Sequence, residues 1–413
     1  METANGRLWT KDFSIITFGT VVSMLGNAVS GFAIGLLVLD YTDSVFLYAF
    51  FMVCYNLPRI VLPIFAGPYL DRFSRSRVIY TLDFISAGLY ALIFLLLLSG
   101  FFNYWIFIAV AMVIGGIDSV YNVAYESLYP TLISKGNFTK AYSVSSLIYP
   151  LANTIMVPVA GLCYQSVGLP PLFLFNAATF LVAAIAETRI SSDERHVAAR
   201  ADERLDRARF IRDLRSGFAY LRQEKGLSAI TWYFFVSTLT YSVCMTLELP
   251  YFRSTPGLGV MAYVFVMGAS TVGRLVGGVI HYRFRYPTGR KFVIAVFVYL
   301  ILCVFQSVYL YLPYAAMLVI LFFSGLFGVT SYNIRTSSTQ NYVPDAMRGR
   351  FNGLFVMLNM LGGIVGQLIA GTLGEFLPTR PIFVGAMVFN ALGVFALMLP
   401  RREAVKRIYN VDV

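Results

Sequence analysis

Twelve long apolar runs alternate with short polar connections along this chain, and a fold has to accommodate all of them. The runs cover 13–39, 45–66, 78–99, 104–128, 141–165, 170–187, 227–250, 259–281, 291–311, 313–336, 351–376 and 380–400. Most reach or approach the roughly 20 apolar residues that a helix needs to cross the hydrocarbon core. Only helices and closed barrels satisfy every backbone polar group in lipid. The runs are too long for barrel strands and show no period-2 alternation. Composition agrees: 58% of the 413 residues are hydrophobic and 13% are charged, against roughly 25% charged in a soluble domain. So few charges could not cover a water-facing surface. The expectation is an all-α integral membrane protein with 12 transmembrane helices.

The basic residues orient the runs. Of the 32 Lys and Arg, 27 fall in connections on one side, two (Arg253, Arg380) on the other, and three (Arg59, Arg274, Arg335) inside runs. Basic residues collect in cytoplasmic loops, so both termini are expected in the cytoplasm. The net charge of +11 then reads as topology, and no nucleic-acid partner is expected. Arg7 and Lys11 precede the first run without a small-residue cleavage pattern, which predicts an uncleaved first span.

One connection departs from the rest. Residues 188–226 are polar and densely charged and divide the chain into an N-terminal six-helix bundle (1–187), a linker (188–226) and a C-terminal six-helix bundle (227–413). Phe210, Leu214, Phe218 and Leu221 recur there at helical spacing, which predicts an amphipathic helix on the cytoplasmic face. Gly67–Arg77 corresponds in position to Arg283–Lys291, and Lys135–Ala141 to Asp345–Arg350, both at an offset of about 210 residues. The two bundles therefore read as pseudo-repeats, the organisation in which a substrate site lies between two units that rock around it.

After the second run the sequence is Gly67-Pro-Tyr-Leu-Asp71-Arg72-Phe-Ser-Arg75-Ser-Arg77. This resembles the loop 2–3 signature of the major facilitator superfamily, with Tyr69, Ser74 and Ser76 departing from the usual pattern. The resemblance covers essentially the whole chain and implies the major facilitator fold. Gly217–Gly226, Val343–Arg350 and Asp83 are similar to the branch containing macrolide-efflux and siderophore-export proteins. Val157-Pro158-Val-Ala-Gly161 resembles a degenerate drug/proton antiporter motif, with Val157 in place of its central Gly. The resemblance implies that Gly67, Asp71, Arg72, Arg75, Arg77 and Asp83 form a latch at the cytoplasmic ends of the bundles. Independently of the family, the arginines can pair with Asp71, with Asp83 or with anionic lipid headgroups.

Ionisable residues inside a membrane are costly and default to function. The fourth run carries Asp118, Asn122 and Glu126 at successive i, i+4 positions, with Tyr121 and Tyr125 beside them. Arg59 lies in the second run, Arg274 in the eighth, Asn333 and Arg335 in the tenth, and Asn27 in the first. Asp118 and Glu126 are the expected proton-titrating or cation-binding acids, with Arg59 as partner. Apolar walls favour the protonated form of an acid and a nearby Arg the charged form, so protonation can be coupled to opening. Arg274 and Arg335 could instead attract an anionic substrate. Tyr55, Tyr149, Tyr233, Tyr241, Tyr332 and Phe32 are aromatic candidates for stacking on an amphipathic molecule. Glu248, Glu375 and Asp40 sit at outer helix ends and are expected at the membrane interface, and no mid-depth charge is expected on runs three, six, nine and twelve.

Cys54, Cys163, Cys244 and Cys303 all sit in apolar runs, and no CxxC or Cys/His spacing occurs, so neither a metal nor a disulfide is expected. No Walker loop, GxSxG or HExxH is present, which argues against ATP-driven transport and against an enzyme. The expectation is a monomeric, multi-pass secondary transporter of the bacterial cytoplasmic membrane. It would export a small amphipathic molecule in exchange for protons, with lipids around it and no cofactor beyond the proton gradient. An importer or lipid-like substrate flippase on the same fold, and more distantly a non-transporting receptor, are the alternatives.

Overall fold

A chain this apolar has to close its backbone hydrogen bonds within each crossing segment, and the computed structural model is helical throughout. It describes residues 7–62, 73–134, 137–191, 207–283 and 286–411. Eleven helices among them are long and apolar enough to cross a membrane, and a twelfth apolar helix is shorter.

The first six helices are α1 (Lys11–Thr42), α2 (Val45–Val61), α3 (Arg75–Leu98), α4 (Tyr104–Leu128), α5 (Phe138–Val167) and α6 (Pro170–Glu187). Their ends are set by local chemistry. Thr10 Oγ1 accepts from the Phe13 N–H at 3.3 Å, starting α1, and Asn103 Oδ1 accepts from the Trp105 and Ile106 N–H groups at 3.1 and 3.2 Å, starting α4. Such caps satisfy donors that a helix start leaves unpaired. The second set is α7 (Arg207–Gln223), α8 (Lys225–Ser254), α9 (Val260–Arg283), α10 (Lys291–Val308), α11 (Tyr314–Tyr342), α12 (Asp345–Phe376), α13 (Thr379–Gly393) and the short α14 (Arg402–Tyr409).

By contact the chain forms two units. One takes in the described residues of Met1–Asp43 and Phe51–Leu205, the other those of Ser44–Phe50 and Asp206–Val413. In the first, α1 packs on α5 and α6, and α3 on α4 and α6. In the second, α8 packs on α12 and α13, α9 on α11, and α10 on α11 and α13. The α9–α11 crossing is tight because a Cβ on Gly273 would run into the Phe322 carbonyl and one on Gly325 into the Ser270 carbonyl; small residues allow this approach where lipid supplies no hydrophobic drive.

Two polar-faced helices trim the second unit. In α7, Leu221 is buried and Phe218 is exposed, so the apolar face expected there is only partly covered; the Phe210 and Leu214 side chains lie outside what the structure describes. In α14, Val405, Ile408 and Tyr409 are buried. Tyr409 meets the Tyr299 hydroxyl at 3.0 Å, and Asn410 Oδ1 accepts from the Phe292 N–H at 2.9 Å. An amphipathic segment is thereby fixed to the end of α10.

Candidate functional site

In the first unit, glycine determines which side chains meet. A Cβ on Gly115 would strike the Tyr55 carbonyl, so only glycine lets the α2 backbone lie directly on α4. One turn beyond that contact are Arg59 on α2 and Asp118 on α4. Arg59 Nη2 donates to Asp118 Oδ2 at 2.5 Å. The same nitrogen reaches the Tyr55 hydroxyl at 2.8 Å, and that hydroxyl donates to Asp118 Oδ2 at 3.1 Å. The guanidinium carbon also sits 4.6 Å from the Tyr55 ring centre. One oxygen thus collects two donors from α2, and the ion pair is locked by a phenol.

The remaining acid on this face behaves differently. Glu126 and Asn122 are exposed, and Glu126 makes no hydrogen bond or ion pair among the described residues. Tyr121 is buried and stacks on Tyr125 with ring centres 6.1 Å apart. Asn27 is half-buried on α1. The structure therefore brings Asp118 and Arg59 together and leaves Glu126 out of that pair.

The second unit contains a half-open cavity of about 550 Å³ whose walls include Tyr241, Glu248, Arg274, Gln306, Tyr332 and Arg335. Arg335 lies among the rings of Phe234, Tyr332 and Phe355, at 5.1, 5.3 and 4.7 Å from their centres. Cation–π contacts of this kind strengthen when desolvated. Among the described residues no carboxylate comes within ion-pair distance of it. Arg274 Nη2 approaches the Tyr241 hydroxyl at 3.4 Å. Asn333, also on α11, is half-buried but does not line this cavity.

Glu248 is a correction to the sequence reading. Its place near the outer end of α8 suggested an interfacial residue, yet it is 1% exposed. Its Oε1 accepts from the Tyr309 hydroxyl at 2.7 Å and from Gln306 Nε2 at 2.9 Å. No sequence signal marked this, because the donors lie on or just beyond α10, about 60 residues away in the chain. By contrast, Glu375 is exposed and Asp40 half-buried. Tyr233, an aromatic candidate for the substrate, is 1% exposed and packs on Tyr299 at 4.8 Å between ring centres, so it belongs to the core.

Of the latch residues, Gly67, Asp71 and Arg72 lie outside the described residues. Arg75 Nη1 donates to the Ser127 carbonyl at 2.9 Å, at the end of α4, and Arg77 is exposed. Asp83 does not pair with either arginine. It is 1% exposed, and neither carboxyl oxygen has a hydrogen-bond donor.

Charged side chains held inside apolar helical bundles, one of them around a cavity, are the architecture of a membrane transporter. The family model of the Major Facilitator Superfamily matches residues 16–367 and 288–409, and the chain belongs to that family. It is a multi-pass membrane transporter and not an enzyme. It is 24% identical over 277 residues to macrolide efflux protein A of Streptococcus pyogenes, covering 65% of this chain and 67% of that one. It is 23% identical over 406 residues to the multidrug efflux pump Tap of Mycolicibacterium fortuitum, covering 94% and 95%. It is also 23% identical to the MFS-type transporter YkuC of Bacillus subtilis, but matches only 53% of that protein's length. Among solved structures, the nucleoside transporter NupG superposes with a TM-score of 0.71 over 94% of this chain and 98% of that one at 12% identity. A bacterial homologue of the iron transporter ferroportin gives 0.65 over 98% and 100% at 15% identity.

Proposed function

We propose that this transporter exports a small amphipathic molecule in exchange for protons, by alternating access across the cytoplasmic membrane of a bacterium. In this reading twelve helices cross the bilayer, both termini are cytoplasmic, and the chain works as a monomer. The observation that carries it is the Arg59–Asp118 pair: an acid and a base inside apolar helices, bonded to each other and to a phenol. Such a pair is costly in lipid, and a proton on Asp118 would separate it. The second unit supplies the complementary part, a cavity with aromatic walls and charges of both signs, suited to a bulky molecule with a polar head. The export direction rests on relatives that are named for macrolide and multidrug efflux. Asp71, Arg72, Arg75 and Arg77 would act as the cytoplasmic latch, and Glu126 would be a second acid open to water.

The test is flux of macrolide-like and dye-like molecules in proteoliposomes under an imposed pH gradient, comparing wild type, D118N and E126Q. Efflux that follows the gradient in wild type and is lost in D118N supports the reading. Net inward movement would sink the direction, and flux blind to the gradient in all three would sink the coupling.

A further inference from the structure

Two acids outside the Arg59–Asp118 pair meet inside the first unit. Asp83 lies two turns into α3, and Glu187 is the last residue of α6. They are 1% and 0% exposed, on two helices that pack closely on each other, and their carboxyl groups act directly on one another. All four carboxyl oxygens lack a donor. Two carboxylates offer each other only acceptors, so a bond between them requires a proton. Two like charges side by side, desolvated and without a cation, do not both stay ionised.

Among the described residues the surroundings supply no cation; Arg189, two residues beyond Glu187, is exposed. From α1 the pair meets Gly19, whose Cβ, if it had one, would fall on Glu187 Oε1; of the charges of α1, Lys11 and Asp12 are at its start, where Asp12 accepts from the Ser191 N–H at 3.1 Å, and Asp40 is near its other end, where it accepts from the Tyr164 hydroxyl at 2.9 Å. From α4 it meets the fields of Asp118, Tyr121 and Tyr125, and the Tyr121 hydroxyl is itself buried without a partner. α6 carries no other charge, and α5 brings only Lys140, which is exposed. On α3 itself, Arg75 is engaged with Ser127 and Arg77 is exposed. The end of α6 adds the negative pole of a helix to Glu187, which disfavours a carboxylate there.

We infer that Asp83 and Glu187 form a proton-binding site in which one proton, taken up from water, bridges a neutral carboxyl and its ionised partner. The site is separate from Asp118, so the first unit has two acidic centres of opposite character: one paired with an arginine, the other sharing a proton with a second acid. The fit of Glu187 against Gly19 leaves a proton, rather than a hydrated cation, as the ligand. Any use of this proton in transport rests on the coupling reading above; its presence does not.

The experiment measures melting temperature against pH for the full chain in lipid nanodiscs, in wild type, D83N, E187Q and D118N. A group that binds its proton more tightly when folded gives stability below its unfolded titration range and loses it as pH rises. Wild type and D118N are expected to lose a few degrees between neutral and alkaline pH. D83N and E187Q should lack this slope, because an amide donates permanently where the proton did. An infrared spectrum of wild type at neutral pH should also contain a protonated-carboxyl band that D118N keeps, and this holds even if an amide variant fails to fold. A wild type without that band, a slope retained in both amide variants, or a slope set by sodium instead of pH would overturn the site. If flux ignores the pH gradient while the slope and band are found, the coupling reading falls and this site stands.

Discussion

The Arg59–Asp118 pair of the first unit and the cavity of the second handle charge in opposite ways. In the first, Arg59 and Asp118 neutralise each other across α2 and α4 at 2.5 Å. In the second, Arg335 faces only aromatic rings and Glu248 only neutral donors, although both line the same cavity. A closed ion pair presents little field to a passing molecule and responds chiefly to a proton. Charges that line a cavity without a direct ion pair between them remain available to a ligand. On the proposed reading, the contrast would give coupling to the first unit and recognition to the second.

That division can be attacked at either end. The strongest effect is expected for D118N, which leaves the Arg59 cation without its acid. Gradient-driven efflux should fall on the order of 100-fold, equivalent to losing about 2.7 kcal/mol, in a proteoliposome assay. G115A should come next, since its methyl group strikes the Tyr55 carbonyl and pushes α2 off α4. Overpacking of this kind costs about 1–3 kcal/mol, read as a lower melting temperature together with weakened efflux. R335Q should raise KM about tenfold, near the 1–2 kcal/mol assigned to a desolvated cation over aromatic rings, while leaving the dependence on the pH gradient intact.

Smaller changes sharpen the contrast. E248Q retains an acceptor for Tyr309 and Gln306 but loses the charge, so cationic substrates should bind several-fold more weakly and neutral ones equally well in a competition series. The smallest effect belongs to the exposed end of the chain. Lys406 holds the Glu403 carboxyl below its ordinary value, so any stability from that pair is present above the unfolded titration range and lost as pH falls. Because the pair is open to water and screened, K406A should leave the melting temperature unmoved at neutral pH.

These assignments differ in how far the sequence alone reaches. Helical crossings follow from run length, and Arg59 and Asp118 stand out because each interrupts an apolar run. Their pairing needs one further fact, the close approach at Gly115, that no periodicity states. Glu248, Asp83 and Glu187 were harder for a definite reason. Each lies in the outer part of a helix, where position along the run suits a headgroup contact as well as a buried one. Which it is depends on the helix packed against it, and that contact is long-range in the chain. The same holds for Tyr233, which shares its residue type with Tyr241 and Tyr332 but faces Tyr299 instead of the cavity.

The most direct trial sets binding against drive in one preparation: equilibrium affinity for an exported dye and uphill efflux of the same dye, measured for wild type, D118N and R335Q. D118N should keep its affinity within about threefold, less than 1 kcal/mol, while uphill efflux disappears; R335Q should lose affinity and still respond to the gradient. A D118N protein whose affinity and efflux fall in proportion, or an R335Q protein that binds as well as wild type, would contradict the division between the units.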